Sequence, residues 1–306
     1  MAKKNSGSHN KKKPLEYLPV RRKMYLSSTA SPASTVGLID AGRILSTSNH
    51  RLYRYGKRYS MKVDMDPQAL QLPTAQIDVW ALADTWAVQK AFEEAYDAYD
   101  KSYEDERENI SKEARARWFD FRINPGVAGD LLYSTVKPDP TDPVVKLTGG
   151  EFDASIVVDS AGTTRTFSWD PSTTAGNYSV PAEYDLSGNT NSAPTTPTGS
   201  GPYADLQADA HPAEMDAIQS SGNLPPYEAN SFPAVWVKIA TLQTSNGTSS
   251  NGVGKLTTGY FDAPCGVVVL NSSQGMDQLS EVISVQFQAG DYKGVRAHNM
   301  HREGMA

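Results

Sequence analysis

Residues 49–66 read NHRLYRYGKRYSMKVDMD, and the second half of this stretch decides the fold class. Tyr59, Met61, Val63 and Met65 alternate with Arg58, Ser60, Lys62 and Asp64. Successive side chains of a strand point to opposite faces, so a period of two predicts a strand with one buried face. QIDVWALA at 76–83 predicts a second strand. The period then changes. Val88, Phe92, Tyr96, Tyr99 and Tyr103 recur at steps of four, four, three and four, which is one face of a helix. Asp84 is the expected cap of that helix. Glu93, Glu94, Asp97, Asp100, Glu104, Asp105 and Glu106 make the rest of it acidic, and Ser111 is placed to cap a second short helix ending near Trp118.

Beyond the helix, WFDFRI (118–123), VVKL (144–147), FDASIVV (152–158) and TTRTFSW (163–169) predict further short strands. The turn DSAG between the last two predicts a hairpin. Residues 170–230 show little periodicity and hold the low-complexity tract SGNTNSAPTTPTGSGP (187–202), so they are read as surface loops with one short helix at HPAEMDAIQS. Strand patterns resume in PAVWVKIATL, GKLTTGYFDA, CGVVVLN and EVISVQFQ, separated by turn-rich segments. The Ser/Thr/Ala-rich residues 24–48 are read as an extended connector, and the closing AGDYKGVRAHNMHREGMA as polar and extended. About eight to ten short strands around one helical excursion predict an all-β sandwich or barrel with an insertion.

The net charge of −6 hides an asymmetry: residues 1–63 carry +12 and the remainder −18. The first 23 residues lack a hydrophobic period, so no core anchors them. Lys3, Lys4, Lys11, Lys12, Lys13, Arg21, Arg22 and Lys23 suit polyphosphate, because flexible cations displace condensed counterions without a fixed register. A solubilising tail is the bland alternative, and KKK and VRRK also suit nuclear import. Arg51, Arg54, Lys57 and Arg58 are interleaved with Tyr53 and Tyr55. Such tyrosines either stack bases between phosphate-binding cations or pack in the core.

The single cysteine, Cys265, excludes an intramolecular disulfide and a cysteine-rich zinc site, and is read as a buried, inert thiol. There is no G-x-S-x-G, Walker loop, H-E-x-x-H or paired C-x-x-C. His298 and His301 sit three apart with few further ligands, and Asp64/Asp66 and Asp139/Asp142 lack the other oxygens a hard cation needs. The expectation is no enzyme, no cofactor and no metal. No apolar run reaches the roughly 18–20 residues that span a bilayer, and no apolar stretch follows the basic start, so the reading is a soluble cytosolic product with no membrane partner.

Taken together, NHRLYRYGKRYSMKVDMD, VWALADTWAVQKAFEEAYDAY, ARWFDFRI and GDYKGVRAH resemble capsid proteins of small circular Rep-encoding single-stranded DNA viruses, especially environmental ones. The resemblance covers about a quarter of the chain. It implies a single jelly-roll β-sandwich, with a helical insertion near 84–117 and a polar loop region near 170–230, that self-assembles into an icosahedral shell. The basic arm 1–23 would face inward onto single-stranded DNA, 24–48 would connect, and 49–306 would form the shell domain. The virion, with the host nucleus during assembly, would be its location. Two other classes compete: a non-capsid single-strand-binding protein using Tyr53 and Tyr55, and a carbohydrate-binding β-sandwich using Trp80, Trp169 and Trp236.

Overall fold

The computed structural model describes residues 19–28, 34–65, 76–111, 118, 120–139, 142–144, 152–158, 161–172, 176–189, 234–243, 256–279 and 282–300. In chain order the strands are β1 Lys23–Ser27, β2 Val36–Asp40, β3 Lys57–Met65, β4 Gln76–Leu82, β5 Asp130–Leu131, β6 Tyr133–Asp139, β7 Asp142–Val144, β8 Ile156–Val158, β9 Thr164–Ser168 and β10 Asn177–Ser179. They continue with β11 Trp236–Gln243, β12 Phe261–Ala263, β13 Val267–Ser272, β14 Ile283–Phe287, β15 Ala289–Tyr292 and β16 Ala297–Asn299. The helices are α1 Ala41–Asn49, α2 Trp86–Glu108 and α3 Val180–Asn189.

Eight of the strands make a sandwich. One sheet runs β12-β3-β14-β1 and the other β11-β4-β13-β2. The pairs β1/β14, β2/β13, β3/β12 and β4/β11 are all antiparallel, so the first strand pairs with the last, the second with the seventh, and so inward. That is a long hairpin rolled up on itself, the winding of a jelly roll. The connection between β4 and β11 carries everything from α2 to α3, so the helical excursion and the polar excursion belong to one insertion. Part of it widens the sandwich: β5 adds in parallel to β2, β6 adds to β1, and β7 adds to β6. These strands cover sheet edges that would otherwise expose unpaired backbone.

The alternation in β3 is realised as expected: Tyr59, Met61, Val63 and Met65 all face the space between the sheets. Ile77 and Val79 of β4, Val268 and Leu270 of β13, and Val285 and Phe287 of β14 meet them there. Each such side chain contributes about 1.5–3 kcal/mol on leaving water. A second core lies under α2, where Val88 and Phe92 pack on Phe121, Phe167 and Trp169. β13 reads VVVLNS because it is covered on both faces: Val267 joins this second core while Val268 and Leu270 join the first. β8 and β9 form the expected hairpin, with Ile156 opposite Thr166.

Several expectations are corrected. Residues 24–48 are not an extended connector: they supply β1, β2 and most of α1, and Met24, Leu26, Ile39, Ile44 and Leu45 are buried. The jelly roll therefore begins at Lys23 rather than at residue 49. Nor is the segment from Ala289 merely polar and extended, because it holds β15 and β16 and buries Val295, Ala297 and Met300. Asp84 does not cap α2. Thr85 does, its Oγ1 accepting from Val88 N at 3.4 Å, while Asp84 pairs with Arg58 at 2.8 Å. Residues 120–123 form no regular strand: Arg122 O accepts from Ser155 N at 2.8 Å, and Asn124, just beyond the segment, makes a bridge to Ser168. Part of the 170–230 region is α3, capped by Ser179 Oγ, which accepts from Ala182 N at 3.3 Å. The second helix after Ser111, most of VVKL, the tract 190–202 and HPAEMDAIQS lie outside the described residues.

Candidate nucleic-acid interface

The chain enters the sandwich at a corner where four segments meet. Arg21 N donates to Asn49 Oδ1 at 2.8 Å and Asn49 Nδ2 donates back to Arg21 O at 3.1 Å, so the lead-in to β1 is tied to the end of α1. Phe287 N donates to Arg22 O, and Arg22 Nε donates to Gly294 O at 2.7 Å. α1 itself starts because Asp40 Oδ1 accepts from Arg43 N, and it stops at His50, which takes a left-handed conformation with φ 49°. The chain then turns into the loop 51–56, which presents Arg51 and Arg54.

Residues of the β15–β16 turn lock this loop. Tyr53 OH donates to Lys293 O at 2.9 Å, Arg54 N donates to Tyr292 OH at 3.1 Å, and Lys293 Nζ donates to Leu52 O. Lys293 has φ 50° and Gly294 φ 90°, the tight turn that swings the lysine back over the loop. The Lys57 ammonium sits 4.5 Å from the Tyr292 ring centre and donates to Asn299 Oδ1, while Lys293 lies 5.3 Å from the same ring. Aromatic faces attract cations, and this packing keeps several of them close together.

The electrostatics follow. Burial lowers the Lys293 ammonium from its ordinary range, and the positive charges of Arg51, Arg54 and Lys57 push it the same way. Asp120 is the anion that opposes them, 3.7 Å from Arg54. Asp120 is itself committed inward: its Oδ2 accepts from Tyr55 N at 2.8 Å and from Arg122 Nη1 at 3.5 Å. Arg122, 3% exposed, also donates to Asp40. Burial pushes the Asp120 carboxyl up to about 6, against the pull of Arg122, the Tyr55 N–H and Arg54. A corner that crowds cations around one inward-facing carboxylate carries a positive local potential.

Of the cations singled out in the sequence, Arg22, Arg51, Arg54 and Lys57 converge here around Lys293, with Arg21 and Lys23 beside them at the start of β1. Arg58 does not join them, since it makes two bonds to Asp84, at 2.8 and 3.2 Å. Lys3, Lys4, Lys11, Lys12 and Lys13 lie outside the described residues. Sequence reasoning missed Lys293, some 240 positions from the loop it locks. Its only local signal is a lysine beside a glycine in DYKG.

Of the two roles open to Tyr53 and Tyr55, core packing is the one the structure shows, and a stacking platform is excluded. Both are buried, at 0% and 2% exposure. Tyr55 OH donates to Ile123 O at 2.9 Å and accepts from Trp169 Nε1 at 3.1 Å, so both its ring and its hydroxyl are used internally. Trp169 is equally buried and faces no solvent. Cys265 is buried too, and burial raises its thiol well above the ordinary range, which makes it inert. Asp64 is held by Lys62 and Thr257, and Asp66 lies outside the described residues.

Among the described residues no cluster of three or more His, Cys, Asp or Glu side chains is arranged to hold a metal ion, and no helix is long and apolar enough to cross a membrane. A cavity of about 360 Å³ is lined by Asp40, Arg43 and Arg122; Arg122 donates to Asp40 and Arg43 Nη2 to Phe152 O at 2.7 Å, while the buried Arg43 Nε has no hydrogen-bond partner among the described residues. Fold and site together define an eight-stranded jelly roll with a cationic corner at the entry of its first strand. No family model, curated protein or solved structure matches the chain.

Proposed function

We propose that this chain is a viral coat protein, which self-assembles into an icosahedral shell and packages a single-stranded DNA genome through its basic leader. The observation that carries this reading is one of position. The Lys-rich leader sequence leads into the body at Arg21–Lys23, and these residues lie beside the corner of Arg51, Arg54, Lys57 and Lys293. The rest of the body is acidic, and anionic mass elsewhere directs a polyanion to this surface. The jelly-roll winding supports the reading, since shells are one of its main uses.

Exposed apolar side chains support contacts between copies. Trp86, Trp118, Ile156, Val158 and Val237 lie between 44% and 59% exposed, and closed shells of identical subunits need such surface. The location that follows is the virion, with assembly in the host nucleus. The test removes residues 2–18, which precede the described body. The reading expects particles that still form, carry less nucleic acid per subunit by absorbance ratio, and lose it at lower salt. Unchanged nucleic-acid content would overturn the role given to the leader.

A further inference from the structure

The cavity of about 360 Å³ lies where the end of β2 and the first turn of α1 face two segments of the insertion, 122–131 and 152–154. That volume falls within the roughly 300–1,000 Å³ of small-molecule sites. Much of its wall is apolar, with Leu38, Ile123, Val127, Leu131 and Phe152 among the lining residues. Water held against such a wall finds few hydrogen-bond partners.

The two guanidinium groups of the lining differ. Arg122 is neutralised: its Nη2 donates to Asp40 Oδ2 and its Nη1 to Asp120 Oδ2 at 3.5 Å. Asp40 is committed in turn, since its other oxygen accepts from Arg43 N at 3.0 Å. Arg43 has no such counter-charge. Among the described residues its guanidinium makes no ion pair, Nη2 donates to the neutral Phe152 O at 2.7 Å, and the buried Nε has no partner. A partly buried cation with an unmet N–H is costly until an acceptor completes it. The group is also held in place, because Arg43 and Arg122 lie 5.3 and 5.1 Å from the Phe152 ring centre. Asp153 lines the cavity too, but it is exposed, where water and salt screen its charge.

We propose that this cavity binds a small organic acid, whose carboxylate accepts from Arg43 Nε and whose apolar body lies against Leu38, Val127 and Leu131. The uncompensated guanidinium selects the charge and the wall selects the body. Inorganic phosphate fits poorly, because its remaining oxygens would face that wall without donors. The site lies apart from the cationic corner and does not rest on the coat reading.

The test titrates hexanoate, acetate, hexanamide and inorganic phosphate into the full chain at pH 7.5 by calorimetry. Hexanoate is expected to bind more tightly than the other three, since acetate and phosphate lack the apolar body and hexanamide lacks the charge. Arg43→Gln weakens hexanoate by roughly 10- to 150-fold, the loss of one hydrogen bond to a charged group, and leaves hexanamide unchanged. Ala128→Trp places an indole into the cavity from an exposed lining position and abolishes hexanoate binding, which keeps the test open if Arg43→Gln fails to fold. Hexanoate that binds no better than acetate or hexanamide, or that still binds to both variants, overturns the site. So does the absence of any hexanoate binding, which leaves the cavity to water.

Discussion

Asp120 makes stability rise on mild acidification, against the usual behaviour of carboxylates. Its side chain is 5% exposed, and burial pushes its carboxyl up to about 6 from about 4 in an unfolded chain. Between those values the folded protein holds a proton that the unfolded chain does not. Stability then falls with rising pH at about 1.4 kcal/mol per unit, for a total of about 3 kcal/mol. The contribution is fully present below pH 4 and lost as pH rises through 6. Asp78 and Asp170 act in the opposite sense and lower down. At Asp78, burial is outweighed by bonds from Lys238, Thr241 and Gln76, and Asp170 is held low by Ser172. Their contribution is lost only as pH falls through values below the ordinary carboxylate range. The assay is urea unfolding followed by tryptophan fluorescence at half-unit steps from pH 4 to 7.5, under salt conditions where light scattering shows single chains. The wild-type protein gains stability from pH 6 to 4 relative to Asp120→Asn, whose amide oxygen still accepts from Tyr55 N. Parallel curves for the two proteins would refute the reasoning.

Tyr55→Phe leaves Ile123 O and Trp169 Nε1 without their partner and costs about 1–3 kcal/mol by chemical denaturation, with oligonucleotide affinity unchanged. Gly266→Ala meets both a backbone at φ +65° and a Cβ only 2.7 Å from Ala41 Cβ, so it destabilises by more than about 2 kcal/mol in the same assay. Arg51→Gln removes an exposed cation from the corner; it lowers the slope of log affinity against log salt for single-stranded DNA by about 0.7 and leaves the unfolding midpoint in place.

How much of this was legible in the sequence depends on how many residues carry each signal. β3 and α2 announce themselves because four or five side chains repeat at one period. β1 offers only Met24 and Leu26. In β2, Gly37 interrupts the pattern, because a Cβ there would lie 2.7 Å from Met276 Sδ. α1 is short and rich in Ser and Thr, and its stability comes from the Asp40 cap and from Ile44 and Leu45 in the core rather than from propensity. WFDFRI alternates like a strand, yet Asp120 and Arg122 turn inward to pair, and charges are rarely assigned to an interior. The leader's charge and the 51–58 cluster were visible as composition. The convergence of Arg22, Arg51, Arg54 and Lys57 on Lys293 was not, because it depends on pairing the two ends of the rolled hairpin. For the same reason the sequence left Tyr53 and Tyr55 open between platform and core: local sequence does not reveal that Lys293 and Trp169 will take their hydroxyls.

The most direct measurement is electron microscopy of the purified full-length protein with and without nuclease treatment. The account predicts uniform closed shells that protect single-stranded nucleic acid from digestion. A chain that remains single at every ionic strength, with all associated nucleic acid open to nuclease, contradicts it.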